Sequence, residues 1–234
     1  QAVALLHTAV KASPGDEDLR AYLDKLTRRP PRPPLGPTVP VLAQVASPQD
    51  APAHVLYHHA RAEVDVQGRA VRRTRRVVRI LNEEGARRFG SWELAYVPGG
   101  QSLEIEAAHL IREGSPPLSP SRSDRDLSEP EYRLYYDLRA EVLSFPRPQP
   151  GDIVEVAWRL TDLDPDPAFP GYYGELAYLQ ESVPRAVSVI ELAGEAAPRL
   201  SMSVVARGIA HVREGLRVVA RDVPAVPLEQ DMPG

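Results

Sequence analysis

Residues 62–98, AEVDVQGRAVRRTRRVVRILNEEGARRFGSWELAYVP, decide the fold. Ala62, Val64 and Val66 alternate with Glu63 and Asp65, the period of a strand with one covered face. Gln67-Gly68 breaks the run where a tight hairpin needs a residue free to take positive φ. A second run, 69–81, is polar at its start and ends in Val77, Val78, Ile80 and Leu81, so it begins in solvent and ends under cover. Asn82 is placed to cap a helical turn with Glu83 and Glu84 early and Arg88 late, as the helix dipole favours, and Gly90 closes it. Residues 91–97 then run extended again.

The same alternation recurs downstream. In 102–112, Leu103, Ile105 and Ala107 alternate with Glu104 and Glu106, the clearest half-buried strand of the chain. Further strands are expected at 139–145, 153–160, 186–192, 200–206, 209–212 and 216–221, while 113–126, rich in Ser, Pro, Arg and Asp, reads as an exposed mobile loop. About ten short strands at these intervals make a mainly β chain, an antiparallel sandwich over residues 45–223. Composition agrees: 25 Pro and 15 Gly against 3 Phe suit strands and turns better than helix pairs.

Residues 1–28 differ. Leu5, Leu6, Ala9 and Val10, then Leu19, Tyr22, Leu23 and Leu26, fall at helical spacing around a Ser13-Pro14-Gly15 break, which predicts a short helical hairpin. The pattern LLHTAVKASPGDEDLRAYLDKL resembles the end of a tetratricopeptide array. Residues 29–44, with RRPPRPPLGPTVP at their core, read as a stiff Pro-rich linker, and 224–234 as a second linker. The chain begins at Gln1 without an initiator Met, which suggests a piece of a longer protein.

Charge and cysteine content narrow the chemistry. A net charge of -4 and a pI near 5.9 argue against a general affinity for nucleic acid or anionic membranes. The absence of cysteine removes disulfides, thiolate metal sites and any cysteine nucleophile. The run Asp162, Asp164 and Asp166 has the opening spacing of a calcium loop, but Pro167 stands where the sharp turn needs Gly and Tyr173 where a bidentate Glu is needed. His58 and His59 are adjacent, so a strand points them to opposite faces and they cannot share a metal; no metal and no cofactor is expected. Glu104 and Glu106, as a hydrolase pair, would line one solvent face with nothing to separate their pKa values. Arg69, Arg72, Arg73, Arg75, Arg76 and Arg79 read as a charged strand edge guarded against aggregation, or as an anion surface. Trp158, in mid-strand, is expected in the core. Tyr135, Tyr136, Tyr172 and Tyr173 are the candidate contact residues for a ligand or a neighbouring domain, since aromatics with a polar tip suit such surfaces.

The succession from DVQGRAVRRTRRVVRILNEEG to AYVPGG, then SFPRPQPGDIVEVAWRL, then FPGYYGELAYLQESVPRAVSVIEL, resembles the bacterial domain of unknown function found immediately N-terminal to transglutaminase-like domains. The resemblance covers residues 45–231. It implies an immunoglobulin-like β-sandwich in a periplasmic or cell-envelope protein. It further implies a non-catalytic domain that supports, or presents substrate to, a following papain-fold domain, its partner within the same protein. The alternative is a stand-alone module for envelope peptide or glycan. The family supplies no catalytic residues to place on this sequence.

Overall fold

The structure, a computed structural model, describes residues 5, 6, 8–10, 19, 33–127, 138–165 and 169–226. Tyr135, Tyr136 and Asp166 lie outside the described residues, as does most of the expected N-terminal helical hairpin, of which residues 5, 6, 8–10 and 19 are helical.

The chain is mainly β. In order it forms α1 (Val39–Leu42), β1 (Ala53–Val64), β2 (Ala70–Ile80), α2 (Glu83–Phe89), β3 (Ser91–Tyr96), β4 (Gln101–Ile111), β5 (Ser121–Asp126), β6 (Arg139–Ser144), β7 (Ile153–Asp162), β8 (Arg185–Ala193), β9 (His211–Glu214) and β10 (Arg217–Val223). Among the described residues these strands make a seven-stranded sheet, β4-β7-β2-β1-β8-β10-β9, and a three-stranded sheet, β3-β6-β5. The β1–β2 hairpin is the one expected, running from Val64 opposite Ala70 to Ala53 opposite Ile80. One pairing departs from the antiparallel expectation: β1 and β8 run parallel, so the large sheet is mixed.

The helix after β2 follows its sequence signals. Asn82 accepts a hydrogen bond from the Gly85 amide, with Glu83 and Glu84 in the first turn and Arg87 and Arg88 in the last. Gly90 ends it at an ordinary φ of -73. What demands glycine there is room, since a Cβ would stand 2.8 Å from the Ala86 carbonyl oxygen.

The front face of the large sheet meets the small sheet and α2. Val55, Val78, Ile80, Leu110 and Val156 pack against Trp92, Leu94, Leu143 and Phe145, with Phe89 of α2 among them. Two irregularities in pairing fit side chains to faces. Leu56 and Tyr57 share the back-face cluster, which two successive residues of a regular strand cannot do, and the register shift between Val55 and Tyr57 permits it. A second shift, between Ile105 and Ala107, lets Leu103 and Ile105 and then Ala108 and Leu110 all reach the same core.

Two expectations are corrected here. The arginine-rich run is no solvated edge: β2 lies between β7 and β1, and Arg73 and Arg75 are buried at 8% and 2% exposure. On the back face Arg73 donates to the Pro33 carbonyl, Arg75 to those of Leu35 and Pro37, and Arg79 to those of Ala43 and Val45. Proline-rich chain lacks donors but keeps every carbonyl, so a row of guanidinium groups can hold it against a sheet. Residues 33–44 of the expected linker, with Val45, thus cover the back face, with Leu42 in the cluster of Tyr57, Val77 and Val189. The second correction is β5, which falls inside the expected loop. Its six residues SRSDRD are all exposed and pair with β6 throughout. A charged edge strand carries no apolar alternation, so the pattern that marks other strands is missing from it.

Candidate binding groove

Beyond the reach of the small sheet, the front face is left open as a groove of about 920 Å³. Its floor comes from Ala60 and Ala62 of β1, Leu160 of β7, Ile190 and Leu192 of β8 and Val218 of β10. The alanines keep the floor low, and Trp158, half-buried, stands where the floor meets the core. Trp158 is therefore a boundary residue rather than the fully buried one expected. One wall is residues 171–180, irregular throughout, and the other residues 196–205, irregular after a single 3-10 turn at Ala197–Arg199.

The β1–β2 hairpin tip anchors both walls. Gly68, at φ +85, is so close to the Tyr172 backbone that a Cβ would meet its carbonyl oxygen at 2.5 Å, and the Gly171 amide donates to the Gln67 carbonyl at 3.1 Å. On the other side the Ala196 amide donates to the Val64 carbonyl at 3.0 Å, and Arg199 donates to the Val66 carbonyl at 3.2 Å. The turn residue that sets the hairpin also sets the separation of the walls.

Of the four candidate tyrosines, the structure describes two, and it separates them. Tyr173 is half-buried against Val64, Ala70 and Ala196. Its hydroxyl donates to Glu175, and the Arg72 guanidinium lies 5.6 Å from its ring centre. Burial, then the Glu175 carboxylate, pushes the phenol pKa up, so it stays neutral. Tyr172 is 67% exposed, as are neighbours that the sequence reading did not single out: Leu176 at 75% and, across the groove, Val205 at 86%. Tyr178, at 68%, completes the rim.

The other candidates are engaged in structural work. Asp162 accepts from the Ala70 amide, from Arg72 and from Gln101, at 3.0, 2.8 and 3.1 Å. Burial alone would raise its pKa, but these donors outweigh it and hold the carboxyl below its ordinary value. It fastens β7 to the hairpin tip, while Asp164 is exposed. Among the described residues no group of three metal-ligating side chains converges. Glu104 pairs with Arg159, and Glu106 with Arg73 at 2.8 Å.

One cluster escaped sequence reading because it joins residues far apart in the chain. On the front face His58 Nδ1 lies 3.1 Å from Arg185 and 3.3 Å from Ser188 Oγ, and Arg185 and Arg76 both bind Glu181. A guanidinium only donates, so Nδ1 is the unprotonated nitrogen and its lone pair faces Arg185. That lone pair is not free to take a proton from Ser188. Burial, then Arg185 and Arg76, holds the His58 pKa well below 6.5. Across the sheet, His59 Nδ1 meets the Tyr57 hydroxyl at 3.2 Å, so the two histidines do face opposite sides.

Fold and groove together define a mainly β domain of two packed sheets with an open, aromatic-rimmed apolar channel on one face. The chain belongs to the family DUF3857, a domain of unknown function with a solved structure, which matches residues 67–220. Among solved structures it is similar to a chain described as "a putative protease" from Parabacteroides distasonis ATCC 8503, with a TM-score of 0.61 and 17% identity. The match covers 78% of this chain and 38% of that one, so this chain spans well under half of that protein's length. At that identity the likeness concerns the fold. No curated protein matches the chain.

Proposed function

We propose that this chain is a non-catalytic β domain that supports, or presents substrate to, a transglutaminase-like domain following it in a longer envelope protein. The observation that carries this is the groove: an apolar channel of about 920 Å³ whose rim exposes Tyr172, Leu176, Tyr178 and Val205 is built for contact. The chemistry on the same face favours a supporting role, because the Ser188–His58 contact is held by Arg185 in a form that cannot activate the hydroxyl. The match to less than half of a longer protein described in terms of proteolysis is consistent with a domain that works beside a catalytic one. In this reading the two sheets are a variant of the immunoglobulin-like sandwich, and the N-terminal helical residues are the end of a tetratricopeptide-like array. The second reading, a stand-alone module for envelope peptide or glycan, draws on the same groove. The test is a side-by-side assay of amide and peptide substrates with this chain and with the longer native protein. Turnover by the longer protein alone is expected, and turnover by this chain, abolished by a point change within it, would overturn the proposal.

A further inference from the structure

Residues 200–206, LSMSVVA, have the pattern of a strand and lack its partner. Met202, Val204 and Ala206 are half-buried, while Ser201, Ser203 and Val205 between them are exposed, the period of two that a strand beside a sheet shows. Yet among the described residues no backbone–backbone hydrogen bond joins 201–206 to another element, and the facing wall, 173–180, likewise makes none, its Tyr178 carbonyl alone being taken by the Arg185 side chain at 3.0 Å. Main-chain donors and acceptors in that state are met by water or by an incoming chain.

The groove between these walls is matched to such a chain. Its floor of Ala60, Ala62, Ile190 and Leu192 offers aliphatic contact at small and large positions, with Trp158 at one margin. The aromatic rings stand on the rim and margin while the floor itself is aliphatic, and an aliphatic floor between two strand-like walls suits the alternate apolar side chains of a polypeptide. Charge adds a direction. On the groove's side of the sheet Arg72 and Arg199 stand against Glu175, two positive groups to one negative on a chain whose net charge is -4, while Arg61 and Glu191, at the alternate positions of β1 and β8, turn to the back face beside His59. Arg61 pairs with Glu191, and Arg72 with Asp162. Arg199, exposed at the end of the 197–199 turn, has a carbonyl for its partner and, among the described residues, no carboxylate.

We infer that the groove takes an extended polypeptide segment that adds as a strand along residues 200–206, with alternate apolar side chains on the floor and a carboxylate toward Arg199. This rests on the reading of the groove as a substrate-presenting surface and names the class of occupant. Strand addition draws affinity from main-chain hydrogen bonds and selectivity from alternate side chains.

The test is fluorescence polarisation of the whole chain with a labelled eight-residue peptide of alternating Thr and Val that ends in Asp with a free carboxylate. Saturable binding is expected, weakened about tenfold when alternate peptide nitrogens are methylated, since each methyl removes a main-chain donor. Arg199→Glu weakens it about fivefold, and a Lys-ended, amidated peptide binds correspondingly less to the unaltered chain. Leu176→Asp with Val205→Asp abolishes it; both residues are exposed, and an unchanged far-ultraviolet circular dichroism spectrum verifies that the variant folds. The inference is overturned if no peptide saturates the chain, if the methylated peptide binds equally, or if a tetramer of N-acetylglucosamine binds in its place. Peptide binding without a turnover difference between this chain and the longer protein would remove the accessory role and keep the occupant. A turnover difference without peptide binding would do the reverse.

Discussion

Arg75→Met separates the present account of the arginine-rich strand from a surface one. Arg75 is 2% exposed, bonds Glu155 at 2.8 Å and donates to the Leu35 and Pro37 carbonyls at 2.8 and 2.5 Å. Methionine fills much of the same volume but leaves Glu155, itself only 13% exposed, as an unpaired charge. Breaking a buried pair from one side costs about 3–5 kcal/mol. Each stranded carbonyl adds about 1 kcal/mol, less where water can reach it. A net loss of about 5 kcal/mol is expected. With a urea slope of about 2–3 kcal/mol/M, the unfolding midpoint should fall by about 2 M. Arg75→Met with Glu155→Leu should recover most of the loss, because removing both charges removes the uncompensated one. Protease cleavage within 33–45 should also become faster in the single variant, since Arg75 fastens that segment. A loss under about 1 kcal/mol, or a double variant no better than the single, would refute the reasoning.

Trp158→Ala should destabilise by about half of the ~3–5 kcal/mol typical of a fully buried indole, measured by urea unfolding, because one side of the ring faces the groove. Gly68→Ala should cost about 1–2 kcal/mol, since φ there is +85 and the Tyr172 carbonyl blocks a Cβ; weaker peptide binding should accompany it, and an unchanged unfolding midpoint would count against the hairpin as the anchor of the walls. His54, His58 and His59 all have pKa values lowered from 6.5, chiefly by burial. The unfolded chain therefore binds protons that the folded chain refuses, so stability is full above about pH 7 and declines as pH falls through 6.5. Urea midpoints at pH 7.5 and 5.5 should show this drop, smaller in His58→Gln measured against its own midpoint at pH 7.5, and a pH-independent midpoint would contradict it.

Much of the fold was legible because the signals were local. The Gln67-Gly68 turn, the Asn82 cap and the strands β4, β7 and β8 rest on signals that act over a few residues, and each appears where the pattern placed it, except that the shift between Ile105 and Ala107 moves Ala107 off the face of Leu103 and Ile105. The arginine run misled because charge in a strand usually means solvent. Here the neutralising partners, Glu106, Glu155, Glu181 and the carbonyls of a proline-rich segment, lie 33 to 105 residues away. The strand β5 was hidden for the opposite reason, having no apolar residue to alternate. At the candidate site, Tyr172 and Tyr173 were found by their type, but only packing separates the exposed ring from the half-buried one. Residues 200–206 carry strand alternation in the sequence, and only three dimensions reveal that it lacks a ladder.

That missing ladder offers the most direct measurement: amide hydrogen exchange of residues 201–206 with and without the Asp-ended Thr-Val peptide. The account predicts fast exchange in the free chain, because these amides have no backbone partner, and slowed exchange at alternate positions when the peptide is bound. Exchange at 201–206 that is unchanged by saturating peptide, or protection appearing only at another sheet edge such as β9, would contradict it.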